Sequence, residues 1–228
     1  MIKPIIFSGP MVRQILAGRK SETRRLLYSI IRRGPNDPVP NRACFDRRYP
    51  PPHLSLGEIA TLGQWQKLQP GDRLWVRENV RAEELQDGRD GVRYEADNAW
   101  ISIPNAPKAA DDWVRLNHYG NGPKRGRLVP CIHMPRWASR IWLDVAEIKI
   151  ERLREISEAG ARREGVERAD AIRGWRDYSG RFPFMMDQRE SFSSLWDMLH
   201  SVQPERWQDN PWVVVIRFNA HQGNVDCA

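Results

Sequence analysis

The sequence predicts an α+β protein in which a small bent β-barrel, or a strongly bent mixed sheet, carries helices against its outside and mouth. The order of elements along the chain is strand, helix, several strands, short helix, helix and strand. The longest strand signal contains a change of parity, which indicates a bulge of the kind that lets a sheet bend round a corner. Three long stretches that are rich in loop-forming residues interrupt this order and are predicted to be insertions.

The N-terminal segment is predicted to run from a strand through a helix into a second strand. The residues KPIIF form the first strand, and GPMVRQIL forms a helix with one apolar face. Gly18 is placed to end this helix in a left-handed conformation. The stretch AGRKSETRR, residues 17 to 25, is therefore a helix exit that leads into a strand.

Two strands are predicted in the middle of the chain. In QPGDRLWVRENV a turn precedes a strand whose alternation puts Leu74, Val76 and Glu78 on one face. In RIWLDVAEIKIERL the apolar residues change parity near Ala146 or Glu147, where we place the bulge.

The C-terminal part is predicted to contain two helices and a buried strand. The segment ISEAGARREG reads as a short helix with Ser157 as N-cap and Gly165 just past its end. The segment DQRESFSSLWDMLHS opens with an Asp-x-x-Glu box and carries a core-facing stripe of Phe192, Leu195, Trp196 and Leu199. The apolar run in NPWVVVIRF predicts a strand that is buried on both faces.

The length of 228 residues favours a single domain, residues 1–228. Its insertions lie at about 29–69, 83–127 and 166–186, and the second of them is expected to contain at most a hairpin around VRYEAD. Neither a secretory signal nor an apolar run of membrane-spanning length occurs, so we expect a cytoplasmic protein with no membrane partner. The sequence does not predict an oligomeric state.

The positive charge is concentrated in one region of the chain. Residues 13 to 48 hold ten Arg or Lys against three acids, a surplus that equals the net charge of +7. Such a field attracts polyanions such as RNA or single-stranded nucleic acid, although a solvated basic face without a partner fits equally well. The three cysteines are widely spaced, and Cys131 and His133 lack nearby residues to complete a metal site, so we predict no metal and no cofactor.

Three charged residues break a local rule, as functional residues often do. Glu164 occupies the last turn of its helix, where the helix dipole disfavours a carboxylate. Glu78 shares the face of a predicted strand with core residues, and Lys20 follows a helix exit among arginines. Each also fits a structural or solvated role. Trp137, between Arg136 and Arg140, is the best candidate for a base-stacking platform, although most tryptophans pack in the core.

Together, ILAGRKSETRR, PGDRLWVRE, the long strand followed by ISEAGARREG, and NPWVVVIRF resemble an ASCH domain, which has a PUA-like barrel fold. The HMPRWASRI stretch and the long insertions resemble ASCH proteins that are common in phages and prophages. The similarity covers the barrel segments, about half of the chain, and none of the insertions. One bacterial member of this superfamily is an N4-acetylcytidine amidohydrolase whose proposed catalytic residues are a Lys and a Thr in LAGRKTxT and a Glu on the short helix. LAGRKSET supplies Lys20 and Thr23 at the same spacing, and the helix supplies Glu164.

The resemblance implies a hydrolase for the N4-acyl amide of a modified cytosine nucleoside or base. Thr23 is the expected nucleophile, Lys20 its base, and Glu164 the acid or the residue that positions water. Backbone N–H groups from Arg19 to Ser21 are candidates for the oxyanion site. The expected substrate-binding residues are Arg19, Ser21, Arg24, Glu78, Trp137 and Arg140, with Glu78 binding the base edge or orienting Lys20.

Two other functions fit the same residues. In a nucleic-acid-binding module without catalysis, Arg13, Arg19, Arg24 and Arg25 contact phosphates while Trp137 stacks on a base. In a ribonuclease, an activity also found among ASCH proteins, Lys20 stabilises the phosphorane.

Overall fold

The structure is a computed structural model that describes residues 1–27, 65, 68–120, 124–169, 174–201 and 205–227. The described strands are β1 (Ile2–Ile6), β2 (Glu22–Leu26), β3 (Arg73–Arg77), β4 (Val80–Glu84), β5 (Asp90–Tyr94), β6 (Trp100–Ser102), β7 (Ile141–Arg152) and β8 (Trp212–Gln222). The described α-helices are α1 (Gly9–Leu16), α2 (Pro107–Asn117), α3 (Glu158–Arg163) and α4 (Gln188–Leu199). The α+β class is confirmed.

The strands form a five-stranded sheet in the order β1-β3-β7-β8-β2 and a three-stranded sheet in the order β4-β5-β6. No pairing among the described strands closes the larger sheet into a barrel. The chain divides into two compact units. The first unit comprises Met1–Ser21, Pro70–Ala146 and Phe218–Ala228, and the second comprises Glu22–Gln69 and Glu147–Arg217.

In the first unit, β1 pairs in parallel with β3 and places Pro4 opposite Trp75. β3 pairs in antiparallel fashion with β7, where Trp75 lies opposite Trp142. As predicted, the helix α1 buries an apolar face, and Gly18 follows it with a φ of 67°. Leu74, Val76 and Glu78, which are predicted to share one face, are all buried, but Trp75 between them is buried as well, so burial does not alternate along β3.

The second predicted insertion is far more ordered than expected. Residues 80–102 form the three-stranded sheet, and α2 follows it, so the expectation of at most a hairpin is wrong. The sheet packs against a core of its own that also includes Leu116 of α2, and Val80, Val92 and Tyr94 are fully buried in it. The sequence of this segment predicted loops because Gly, Pro, Asn and Asp are frequent in its turns and its apolar runs are short. Pro107 is the first residue of α2, a position to which proline is well suited.

The strand β7 changes parity as predicted. Ile141, Leu143 and Val145 are buried alternately, then the adjacent residues Ala146 and Glu147 are both exposed. Beyond them the half-buried isoleucines have the opposite parity. This arrangement is what a local break in the pleat produces.

In the second unit, β2 pairs in antiparallel fashion with β8, and Thr23 lies opposite Ile216. The run Val213–Ile216 is buried throughout, which confirms the prediction of a strand covered on both faces. The helix α3 begins and ends as predicted, because the Ser157 hydroxyl accepts a hydrogen bond from the Gly160 N–H at 3.1 Å and Gly165 has a φ of 86°.

The helix α4 is capped by Asp187, whose carboxylate accepts a hydrogen bond from the Glu190 N–H at 2.8 Å. Its core stripe is shorter than predicted. Phe192, Leu195 and Trp196 are buried, whereas Leu199 is exposed because it is the last residue of the helix.

The other two predicted insertions are described only in part. Nearly all of residues 29–69 lie outside the described residues. In 166–186, the described residues include neither an α-helix nor a ladder strand, and isolated bridges join Trp175 to Arg168 and to Met185. The prediction of a single domain with insertions stays a prediction.

Candidate functional site

Lys20 is a buried lysine in the first unit. The chain turns after α1 because the N–H groups of Arg19 and Lys20 both donate to the carbonyl of Gln14, at 2.9 and 3.1 Å. Lys20 is only 2% exposed, and its Nζ lies 5.7 Å from the centroid of the Phe7 ring. Burial of an ammonium group is costly, and an aromatic face offsets part of that cost through a cation–π interaction.

A cavity of about 320 Å³ lies beside this lysine and is called the Lys20 cavity below. Its lining combines an apolar wall with polar side chains and consists of Ile15, Leu16, Gly18, Lys20, Ser21, Ile141, Phe218, Asn219, Ala220, His221 and Gln222. The volume falls at the lower end of the range for small-molecule sites. Of the predicted site residues, the described lining contains Lys20 and Ser21.

Thr23 is a buried residue of β2 in the second unit. Because successive side chains of a strand point to opposite faces, Thr23 lies on the face of β2 opposite to Glu22 and Arg24. Its hydroxyl is therefore on a different face of the strand from the ionic cluster that Arg24 organises.

Glu164 directly follows α3 and is buried in that cluster. Its Oε1 lies 3.1 Å from Nη1 of Arg24. The guanidinium of Arg24 also lies 2.8 Å from Glu22 and 2.7 Å from Glu151. Burial by itself would lower the pKa of Arg24, but the carboxylates of Glu164, Glu22 and Glu151 outweigh it and raise the pKa. The arginine explains how a carboxylate is tolerated at this helix end.

Arg163 adds a second cation to this group of residues, and we name Glu22, Arg24, Glu151, Arg163 and Glu164 the Arg24 cluster. Glu22 is fully buried, and its Oε2 accepts a hydrogen bond from Arg163 Nε at 2.8 Å. Burial would raise the pKa of Glu22, but the hydrogen bond from Arg163 and the charges of Arg24 and Arg163 lower it overall. Glu22, one of the two residues between Lys20 and Thr23 in the sequence, is thus a structural ion-pair residue.

Glu78 and Arg140 are brought together in the first unit. Arg140 donates to both carboxylate oxygens of Glu78, at 2.8 and 2.9 Å, and to Asp97 at 2.8 Å. Its guanidinium carbon lies 3.8 Å from the centroid of the Tyr94 ring. Burial raises the pKa of Glu78, and the hydrogen bonds from Arg140 oppose this only in part. The described lining of the Lys20 cavity includes neither residue of the pair.

The remaining predicted residues are Arg19 and Trp137. Arg19 is exposed, and its Nε donates to Oε1 of Gln14 at 2.6 Å. Trp137 is half-buried and packs against the core of the three-stranded sheet. A role for Trp137 in stacking on a base stays a prediction.

Three polar residues of the cavity were missed by the sequence analysis. Asn219, His221 and Gln222 come from the end of β8 and line the cavity together with Lys20. No motif marks them, because they follow the apolar run as ordinary polar residues. Alternation along β8 could have placed Asn219 and His221 on one face, but nothing in the sequence assigns that face to a cavity.

No group of three or more His, Cys, Asp or Glu residues suited to a metal ion occurs within the described ranges. Cys131 and Cys227 are free thiols. None of the helices in the described part of the chain has the length and apolar character needed to cross a membrane. Comparison of the chain with protein-family models, with curated proteins and with solved structures found no match.

Proposed function

We propose that the protein is a hydrolase with an ASCH-type, PUA-like fold that removes an acyl group from the N4 amide of a modified cytosine nucleoside or base. The observation that carries this proposal is the burial of Lys20 beside a cavity of about 320 Å³. A solvated basic patch requires its lysines to face water, whereas a catalytic amine requires a site that excludes bulk water. In LAGRKSET, Thr23 follows Lys20 at the spacing of the family motif and is the proposed nucleophile.

In the proposed reaction, the Thr23 hydroxyl attacks the acyl carbon and its proton passes to Lys20. This step requires the neutral amine of Lys20. The bond from the acyl carbon to N4 then breaks, and N4 takes up a proton, so that the cytosine amino group leaves and an acyl ester remains on Thr23. Water hydrolyses the ester to a carboxylic acid and restores Thr23. The mechanism requires the three groups to reach one acyl carbon.

The ion pair with Arg24 bears on the role of Glu164. A carboxylate that lies 3.1 Å from a guanidinium is held as an acceptor, which suits it to orient the hydrolytic water. Donation of a proton to N4 would break this pair. We therefore assign Glu164 to water positioning and let protonated Lys20 return its proton to N4.

The experiment is to incubate the purified protein with N4-acetylcytidine and to measure released cytidine by chromatography. Lys20→Met and Thr23→Val should lower kcat/KM at least 100-fold, because each removes a group that acts in the chemical step. Lys108→Met is the matched control, since the Lys108 side chain is 82% exposed on α2. The folding of each variant is checked by thermal melting. Wild-type turnover by Lys20→Met or Thr23→Val, or no turnover by the wild type, would exclude the hydrolase.

A module that binds RNA or single-stranded nucleic acid without cleaving it is the second candidate. It is favoured by the Arg24 cluster, which gives Glu164 a structural partner and therefore a reason to be present without any catalysis. For this second function, the exposed Arg19 is available to contact a phosphate, whereas the guanidinium of Arg24 already pairs with carboxylates. Binding to a single-stranded RNA should weaken steeply between 50 and 200 mM salt, while hydrolysis of a neutral nucleoside should not. Cleavage of that RNA would instead identify the ribonuclease.

A further inference from the structure

His221 is held in a three-layer stack in the first unit. Its imidazole centroid lies 4.0 Å from the ring centroid of Trp142, and the two planes differ by 14°. The guanidinium carbon of Arg73 lies 4.8 Å from the same indole ring. Because β7 lies between β3 and β8 in the sheet, Arg73 and His221 approach Trp142 from opposite sides. The stack therefore fixes the plane of the imidazole.

The same histidine also lines the Lys20 cavity and is exposed to solvent. Trp142 covers one face of the imidazole and leaves the opposite face and the ring edge uncovered by this contact. Within the described part of the chain, neither ring nitrogen has a hydrogen-bond partner. A flat aromatic surface with its rotamer already fixed loses little conformational entropy when a planar ligand stacks on it.

The other polar side chains of the cavity complement one class of planar ligand. Asn219 and Gln222 are among the residues that line the cavity, and the amide side chain of each carries both a donor and an acceptor. The edge of a cytosine presents the same combination, with an amino group beside a ring nitrogen and a carbonyl. The apolar wall with Phe218 gives the ring or the sugar a surface that is free of competing charge.

We propose that His221 contacts the substrate directly and that a pyrimidine nucleobase stacks on its exposed face in the Lys20 cavity. The choice of a cytosine base rests on the proposed function, whereas the stacking site rests on the geometry of Trp142 and His221. Substitution by alanine of an aromatic residue that stacks on a base typically weakens binding roughly 5- to 150-fold.

The experiment measures the dissociation constants of cytidine and N4-acetylcytidine by calorimetry, independently of turnover. His221→Ala should weaken the binding of both about tenfold or more, whereas His221→Phe should stay within about threefold of the wild type because it keeps the aromatic face. Trp142→Leu should weaken binding by a smaller factor, since it releases the imidazole from its fixed plane. His133→Ala is the matched control, because His133 is an exposed histidine beside Tyr119 that is not among the cavity residues.

The outcomes separate this proposal from the hydrolase. A wild-type dissociation constant in His221→Ala would overturn the proposal, as would the failure of the wild type to bind either nucleoside. Equal losses in His221→Phe and His221→Ala would overturn stacking, because they would show that the ring nitrogens carry the contact. Binding of cytidine by stacking, without hydrolysis of N4-acetylcytidine, would remove the hydrolase and support the base site. Hydrolysis of N4-acetylcytidine by His221→Ala with an unchanged KM would support the hydrolase and remove the base site at His221.

Discussion

Replacement of Arg24 by methionine should strongly destabilise the second unit. The guanidinium of Arg24 lies within 2.7 to 3.1 Å of three carboxylates, those of Glu22, Glu151 and Glu164. Methionine keeps an apolar side chain but removes the charge, so the three carboxylates remain close together without their shared cation. Removal of one partner from a buried ion pair typically costs about 3 to 5 kcal/mol.

The remaining cations of the unit place Arg24→Met at the lower end of this range. Glu22 keeps Arg163 at 2.8 Å, and Glu151 keeps Lys149 at 2.7 Å. We therefore expect a loss of about 3 kcal/mol in the free energy of unfolding. With a denaturant slope of about 2 kcal/mol per molar urea, the midpoint of unfolding falls by about 1.5 M.

The assay is urea unfolding followed by circular dichroism, with hydrogen exchange measured in peptides from β2 and α3 to locate the loss in the second unit. Arg81→Met is the matched control, because Arg81 and Glu95 form an exposed pair with side chains that are 45% and 46% exposed. Such a surface pair contributes at most about 1 kcal/mol. A midpoint for Arg24→Met within about 0.3 M of the wild type would refute the view that Arg24 holds these carboxylates.

Two more predictions concern the same cluster. A Cβ at Gly160 would lie 3.2 Å from Nη2 of Arg24 and 3.1 Å from Ile156. Arg24 is held in place by carboxylates and cannot move away from the new methyl group. Gly160→Ala should therefore lower the thermal midpoint, with a net loss of about 1 kcal/mol in stability despite the better helix propensity of alanine. A higher midpoint would show that the side chains of the Arg24 cluster can shift to make room. The lowered pKa of Glu22 should stabilise the folded state above the ordinary glutamate pKa. That contribution is lost as the pH falls through the lowered pKa. We therefore expect the melting temperature of the wild type to drop more steeply with falling pH than that of Glu22→Gln. Equal slopes of melting temperature against pH for the two proteins would contradict this.

Local patterns of the sequence predicted the elements that carry their own boundary signals. The N-cap Ser157 and the terminal Gly165 define α3 without help from the rest of the chain. The change of parity in β7 was visible in the sequence because apolar residues alternate on either side of Ala146 and Glu147, with opposite parity. The helix α2 was missed, since its charged and small residues leave only Ala109 and Leu116 buried.

The candidate site depended on partners that the sequence cannot connect. Glu164 and Glu78 were singled out because each violates a local rule, and the structure gives Glu164 a buried arginine and Glu78 a partly buried one. Those arginines lie 140 and 62 residues away along the chain. A rule that uses neighbouring positions detects the misplaced acid but not its compensating charge. For the same reason, the alignment of His221 with the Lys20 cavity came only from the folded sheet.

Pro4 gives the strand β1 protection against unwanted association. β1 is the last strand on its side among the described strands, and it exposes Ile2 and Ile6. In this parallel pair, Arg73 donates to the Met1 carbonyl and Phe7 donates to the Arg77 carbonyl, so the backbone groups of odd-numbered residues face β3. The nitrogen of Pro4 therefore faces outward, where it has no hydrogen to donate. A strand added next to Pro4 on this side would meet a gap in the hydrogen-bond ladder, so this proline makes β1 a poorer template for extension of the sheet.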